Sequence, residues 1–226
     1  MFDKVYPLVK DLMKPHESAG HGIDHIDQVY DLGMKIHKIE GGNQDIVVLA
    51  TLLHDADDYK LFGEESSQNL TNAKRIMNQC DTSPEIQNSV CDIISTMGYS
   101  KLLAGVRPTT IEGKIVSDAD MCCMGGATAV IRVIQFGEHV GRPIFDRNKW
   151  PRVKNLDSQE YKKYDDTGVN HFFEKLLKIK GLLFTGTARQ LAEPGHEFMI
   201  QFLRQYFIEN NIPEWNEYLD RYLQDI

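Results

Sequence analysis

Apolar residues recur along this chain at intervals of three and four rather than two. Val29, Leu32, Ile36 and Ile39 mark the stripe of a helix with one buried face. Gly41-Gly42 closes that helix, glycine being favoured just past a C-terminus. Asn43 then caps a second helix, 44 to about 54, that is apolar almost all round (Ile46, Val47, Val48, Leu49, Ala50, Leu52, Leu53). Such a helix is predicted to lie in the centre of the core. Further helices are predicted over 66–80, from about 83 with Pro84 in the first turn, from 109 or 110 to 120, and over 124–138. Three more are predicted over 160–180, over 187–210, and in a short piece after Pro213. Gly125-Gly126 marks a close approach or a break. Periodicity fails over 141–158, where Pro143, Pro151 and Asn155 predict a long irregular loop of the kind that is often functional. Strand signals are scarce and no repeat is visible. The pattern predicts an all-α helical bundle, a single domain over 1–226. Its candidate ligands fall in 20–125, and the helices of 160–226 pack on that part.

Composition narrows the chemistry without naming it. With 226 residues, 42% hydrophobic and 26% charged, the chain can bury a full core and does not resemble a disordered one. A net charge of −8 argues against a nucleic-acid partner, which usually calls for a basic footprint. It does not exclude a phosphate substrate, because a bound divalent cation reverses the local sign. The cysteines, Cys80, Cys91, Cys122 and Cys123, form no CxxC pair and suit a reducing compartment. Asp3, Lys4, Lys10 and Asp11 interrupt the first thirteen residues, which are therefore no signal peptide. No apolar run approaches the ~20 residues of a membrane span. The expectation is a soluble, cytoplasmic protein without a membrane partner. Its oligomeric state is left open, a homodimer included.

Three places put metal-ligand residue types on these stripes. Extending the Val29 stripe back by one turn reaches His25, within His21-Gly-Ile-Asp24-His25. His54 continues the series Val47, Ala50 and is followed by Asp55. Asp118-Ala-Asp120 ends the helix that carries Ile111, Ile115 and Val116. Buried imidazoles and carboxylates are costly unless paired or bound to metal. Each is weak alone, since a lone inward histidine is more often a satisfied core residue. Together they predict a mixed nitrogen and oxygen set for one divalent ion, with Mn, Mg, Co, Ni, Fe and Zn all open. Such an ion polarises a phosphoryl oxygen and acidifies water.

The order His25, then Leu-Leu-His54-Asp55, then Asp-Ala-Asp120 resembles the HD superfamily of phosphohydrolases. That resemblance implies that His25, His54, Asp55 and Asp120 bind the metal. The stretches around His21 to His25, Leu52 to Asp58, Lys114 to Asp120, Gly141 to Asp146 and Asn170 to Lys178 are similar to a bacterial HD subgroup. So are Ala188-Arg189 and His196 to Met199. Members of that subgroup are similar to nucleotide pyrophosphohydrolases. Gln28 stands where an arginine is common, and Met121-Cys122-Cys123 replaces a more usual Arg-Leu-Asp. Neither departure removes a ligand.

Other residues carry a bland reading beside the functional one. Asp58 is a turn residue or a proton-handling base, and His21 is a helix-start residue or a proton shuttle. Asp24 and Asp118 are candidates to orient the ligating histidines. Arg142, Arg147, Lys149, Arg152 and Lys154 give the loop a local positive excess. Arg142, Arg147, Lys149 and Lys154 are the substrate-binding candidates, matched to phosphate, although a solvated loop is the plainer reading. His171, Glu174, Lys175 and Lys178 read as a charged helix face held by local ion pairs, and His16, His37, His139 and His196 as structural. The expected function is metal-dependent hydrolysis of a nucleotide or another small phosphate ester or anhydride. The alternatives are a metal-containing sensor without turnover and a di-iron oxygenase-like HD protein. The latter wants further histidines near His54, and none follows until His139.

Overall fold

The computed structural model describes residues 1–16, 22–152 and 166–226. Among these residues every regular element is helical, as the three-and-four spacing predicts. The chain falls into two compact units, Met1–Cys123 and Met124–Ile226. No helix among the described residues is long and apolar enough to cross a membrane.

In the first unit, α1 (Phe2–Met13) precedes α2 (Ile23–Glu40), α3 (Gln44–Leu53), α4 (Tyr59–Asn69) and α5 (Thr71–Gln79). Then come α6 (Pro84–Thr96), α7 (Tyr99–Leu103) and α8 (Ile111–Cys122). α2, α3 and α8 pack on one another and form the centre. α3 begins where predicted, because the Asn43 side chain accepts from the N–H groups of Asp45 and Ile46 at 3.0 and 3.4 Å. The backbone N–H of Asn43 donates to Glu112 Oε1 at 2.7 Å, tying the start of α3 to the first turn of α8. From Val47 to Leu53 every residue of α3 is buried. In α2 the buried line is His25, Ile26, Val29, Gly33 and Ile36, while Ile39 is 72% exposed. The stripe thus turns away from the core in the last helical turn. Gly33 matters here: a Cβ on it would stand 2.7 Å from Thr51 Cγ2 and 3.7 Å from Ala119 Cβ. Glycine lets α2 approach both other helices.

The helix predicted over 66–80 is two helices. Leu70 adopts a left-handed backbone (φ 51°) between α4 and α5. The N-terminal helix α1 and the short α7 were not foreseen. α1 buries Val5, Val9 and Met13 at four-residue intervals.

The second unit contains α9 (Gly126–Val140) and α10 (Gly168–Glu174). A 3-10 turn (Leu176–Lys178), α11 (Ile179–Leu182), α12 (Gly186–Glu209) and α13 (Pro213–Asp225) follow. The described part of the predicted loop, 141–152, contains no helix. The helix predicted over 160–180 is broken at Lys175 (φ −136°, ψ −61°), and its first residues lie outside the described ones. Gly125-Gly126 opens α9 and is also a close approach. A Cβ on Gly126 would stand 3.3 Å from Gly195 Cα of α12. Trp215 is wholly buried and touches Phe145, Phe173 and Phe207, which makes it the hub of this core.

Candidate metal centre

Three helices of the first unit deliver the donors. His25 comes from the first turn of α2, His54 and Asp55 from the residues just past α3, and Asp120 from the last turn of α8. One donor atom each of His25, His54 and Asp120 lies within 4.8 Å of the other two. His25 Nε2 and His54 Nε2 are 3.2 Å apart. Asp120 Oδ1 is 3.4 Å from His25 Nε2, and Asp55 Oδ2 is 3.7 and 3.6 Å from the Nε2 atoms of His25 and His54. Both histidines and Asp55 are buried, and Asp120 is nearly so.

The donor set fits a divalent ion. His54 Nδ1 lies 2.8 Å from the Thr51 carbonyl oxygen. A carbonyl only accepts, so Nδ1 carries the hydrogen and the neutral ring keeps its lone pair on Nε2. That lone pair faces a second imidazole nitrogen and two carboxylates, an arrangement that calls for a proton or a cation among them. Ligands held about 2.0–2.2 Å from one ion cannot be more than about 4.4 Å apart, and the four pairwise separations of 3.2, 3.4, 3.6 and 3.7 Å are shorter. The electrostatics agree. Burial pulls the His54 pKa down, yet the charges of Asp55 and Asp120, the Thr51 bond and Asp58 leave it above the usual histidine range. Burial pushes Asp120 up, but a hydrogen bond from His25 and the charges of both histidines leave it below the usual carboxylate range.

The remaining sequence-derived candidates are scattered. Asp58 Oδ1 accepts from the N–H of Lys60 at 2.8 Å and caps α4, while its charge still acts on His54. Asp118 is wholly buried in α8. Asp24 is exposed in the first turn of α2, where its charge bears on Tyr6. His21 and Lys154 lie outside the described residues. Arg147 is held by Glu214, with Nη2 at 2.6 Å from Oε1. Arg142 stacks its guanidinium over Phe136 at 5.6 Å, and Lys149 is exposed. Arg142, Arg147 and Lys149 all belong to the second unit. The Cys122 thiol is pushed up to about 12 by burial and by Asp118 and Asp120, which disfavours the thiolate.

One buried polar residue and one polar network are not legible in the sequence. Asp57, 3% exposed, is discussed below. In the second unit Arg152 Nε lies 3.1 Å from Asp166 Oδ2 and 3.2 Å from Glu174 Oε1. Asn170 donates to the Lys149 carbonyl at 2.9 Å and to Asp166. Glu174 is buried, so this part of the expected charged helix face is interior.

The HD domain model matches residues 22–125, which contain all four donors. YpgQ of Bacillus subtilis, an uncharacterised protein, is 32% identical over 198 residues that cover 87% of each chain. A crystal structure of YpgQ in complex with ADP is similar to this chain with a TM-score of 0.67 and 29% identity, covering 92% of this chain and 97% of that one. An HD-superfamily hydrolase from Bacillus thuringiensis is similar with a TM-score of 0.72 and 31% identity, covering 93% and 96%.

Proposed function

This chain belongs to the HD superfamily of hydrolases, and we propose that it is a metal-dependent phosphohydrolase acting on a nucleotide or a related small phosphate ester or anhydride. One observation carries the reading: donor atoms of His25, His54 and Asp120, from three separate parts of the chain, converge within 4.8 Å. With Asp55 they would hold one divalent ion, Mn, Mg, Co, Ni, Fe or Zn. When bound, such an ion polarises a phosphoryl oxygen and lowers the pKa of water. The chain's own groups do the rest. The Thr51 carbonyl fixes the His54 tautomer and aims Nε2 into the site. Asp58 would take the proton of the attacking water. Its carboxylate spends Oδ1 on the α4 cap and is close enough for its charge to reach His54. A relative that binds ADP supports a nucleotide as the substrate class. A cytoplasmic location, expected from the cysteines, belongs to the same proposal.

The test is hydrolysis of a nucleotide panel by apo protein reloaded separately with manganese, cobalt, nickel and magnesium, beside Asp55→Ala. Metal-dependent release of phosphate or pyrophosphate, abolished by the substitution, is the expected result. Stoichiometric metal without turnover of any nucleotide or phosphoester would overturn it in favour of a metal-containing sensor.

A further inference from the structure

Between the His54-Asp55 pair and the cap residue Asp58 stands Asp57, a buried carboxylate. Its Oδ1 accepts from Ser66 Oγ and from the backbone N–H of Asn72 at 2.9 Å, and its Oδ2 accepts from the N–H of Ala73 at 2.9 Å. These two N–H groups belong to the first turn of α5. The residue before that helix, Leu70, has no side chain able to cap it and sits in a left-handed conformation. Asp57 therefore supplies, from fifteen residues upstream, the anion that the helix N-terminus favours. A second tie runs the other way. Asn72 Nδ2 donates to the Ala56 carbonyl at 3.0 Å.

The segment 54–58 is a tight turn closed by Ala56 N–H to the Leu53 carbonyl (3.0 Å) and Asp58 N–H to the Asp55 carbonyl (3.1 Å). At its start His54 is bonded to α3 through Thr51, and at its end Asp57 and Ala56 are bonded to the start of α5. A turn fastened at both ends leaves the Asp55 backbone little freedom.

We propose that Asp57 is a positioning residue for the metal centre: by clasping the N-terminus of α5 it holds Asp55 and His54 in register for the ion. The inference rests on the proposed metal centre, and it adds a residue that binds neither ion nor substrate. Supporting groups of this kind typically change metal affinity by about 10–100-fold.

The test is titration of the apo, full-length protein with manganese by calorimetry, comparing wild type, Asp57→Asn, Ser66→Ala and Ile76→Val. Ile76 is buried in α5 outside the network, so its variant reports loss of packing alone. The expected result is affinity weakened by about 10–100-fold in Asp57→Asn and by less in Ser66→Ala, with Ile76→Val unchanged at a comparable loss in Tm. Ser66→Ala removes one donor of three and keeps the question answerable if Asp57→Asn does not fold. Affinity unchanged in both network variants, or lowered equally in Ile76→Val, overturns the positioning role while leaving the metal centre intact. A wild-type protein that takes up no metal would instead overturn the metal centre itself.

Discussion

The ring of His54 is held at one nitrogen by the Thr51 carbonyl and presents the other to His25 at 3.2 Å. Asp55 Oδ2 is an anion placed 3.6–3.7 Å from both rings. Asp55→Ala is expected to weaken manganese binding by more than about 100-fold, above the range for supporting groups, with far-UV circular dichroism unchanged. In the second unit two residues set opposite pH slopes. Burial, with Lys175 and Arg142 adding to it, pushes His171 down to about 3. The unfolded chain then takes up a proton near 6.5 that the folded chain refuses, so stability falls as pH drops from 6.5 toward 3. Burial and the neighbouring Asp166 push Glu174 up to about 7. Here the folded state keeps a proton that the unfolded chain has lost above 4.5, so stability falls as pH rises from 4.5 to 7. Each slope is at most about 1.4 kcal/mol per pH unit. Urea unfolding between pH 4 and 8 should show Glu174→Gln losing the second slope and His171→Gln losing the first. Unaltered slopes in both variants would refute the assignment.

Among elements, the decisive crossing is at Gly33, where α2 meets Thr51 of α3 and Ala119 of α8. These contacts lie beside the residues that carry the donors. Gly33→Ala brings a methyl to 2.7 Å of Thr51 Cγ2 and should cost about 1–3 kcal/mol by overpacking. It should also weaken metal binding, which Asn43→Ala, a lost cap of about 1 kcal/mol, should do far less. Calorimetric titration of both variants decides it. The helices that bear the donors were legible because their signals are local: an apolar stripe, Gly41-Gly42, Asn43, and a histidine in register. The break at Leu70 was not. The apolar period runs through it, and no glycine or proline marks the left-handed residue; the helix that follows it is capped by Asp57, fifteen positions before Asn72. α1 carries an equally local signal in Val5, Val9 and Met13, one turn apart. Glu174 read as surface because its partner Arg152 lies twenty-two residues upstream, a pairing that spacing along one helix does not disclose.

For the whole molecule, the four donors all lie within Met1–Cys123. Binding energy from a metal therefore enters one unit directly. At a hundred times its Kd an ion should stabilise the state that binds it by about 2.7 kcal/mol. Hydrogen exchange should show new protection concentrated in α2, α3 and α8, reversed by chelator. Equal gains in α9, α12 and α13 would mean that the site, or its boundary, is misplaced. The family match covers the unit with the donors, and resemblance of motifs made that unit easier to read than the other. In the second unit, residues such as Asp166 acquire meaning only from partners that the fold brings to them.

The chain has two tryptophans, and both belong to the second unit. Trp150 lies flat on Trp215, with ring centres 4.4 Å apart and planes 7° from parallel. Indole emission thus reports on one half of the protein and carries no direct signal from the other, where tyrosines are the emitters. Trp215 is wholly buried, so unfolding this unit brings its indole into water and moves that emission to longer wavelength. A single cuvette can therefore follow the loss of that stack and the loss of helix as two colours of one melt.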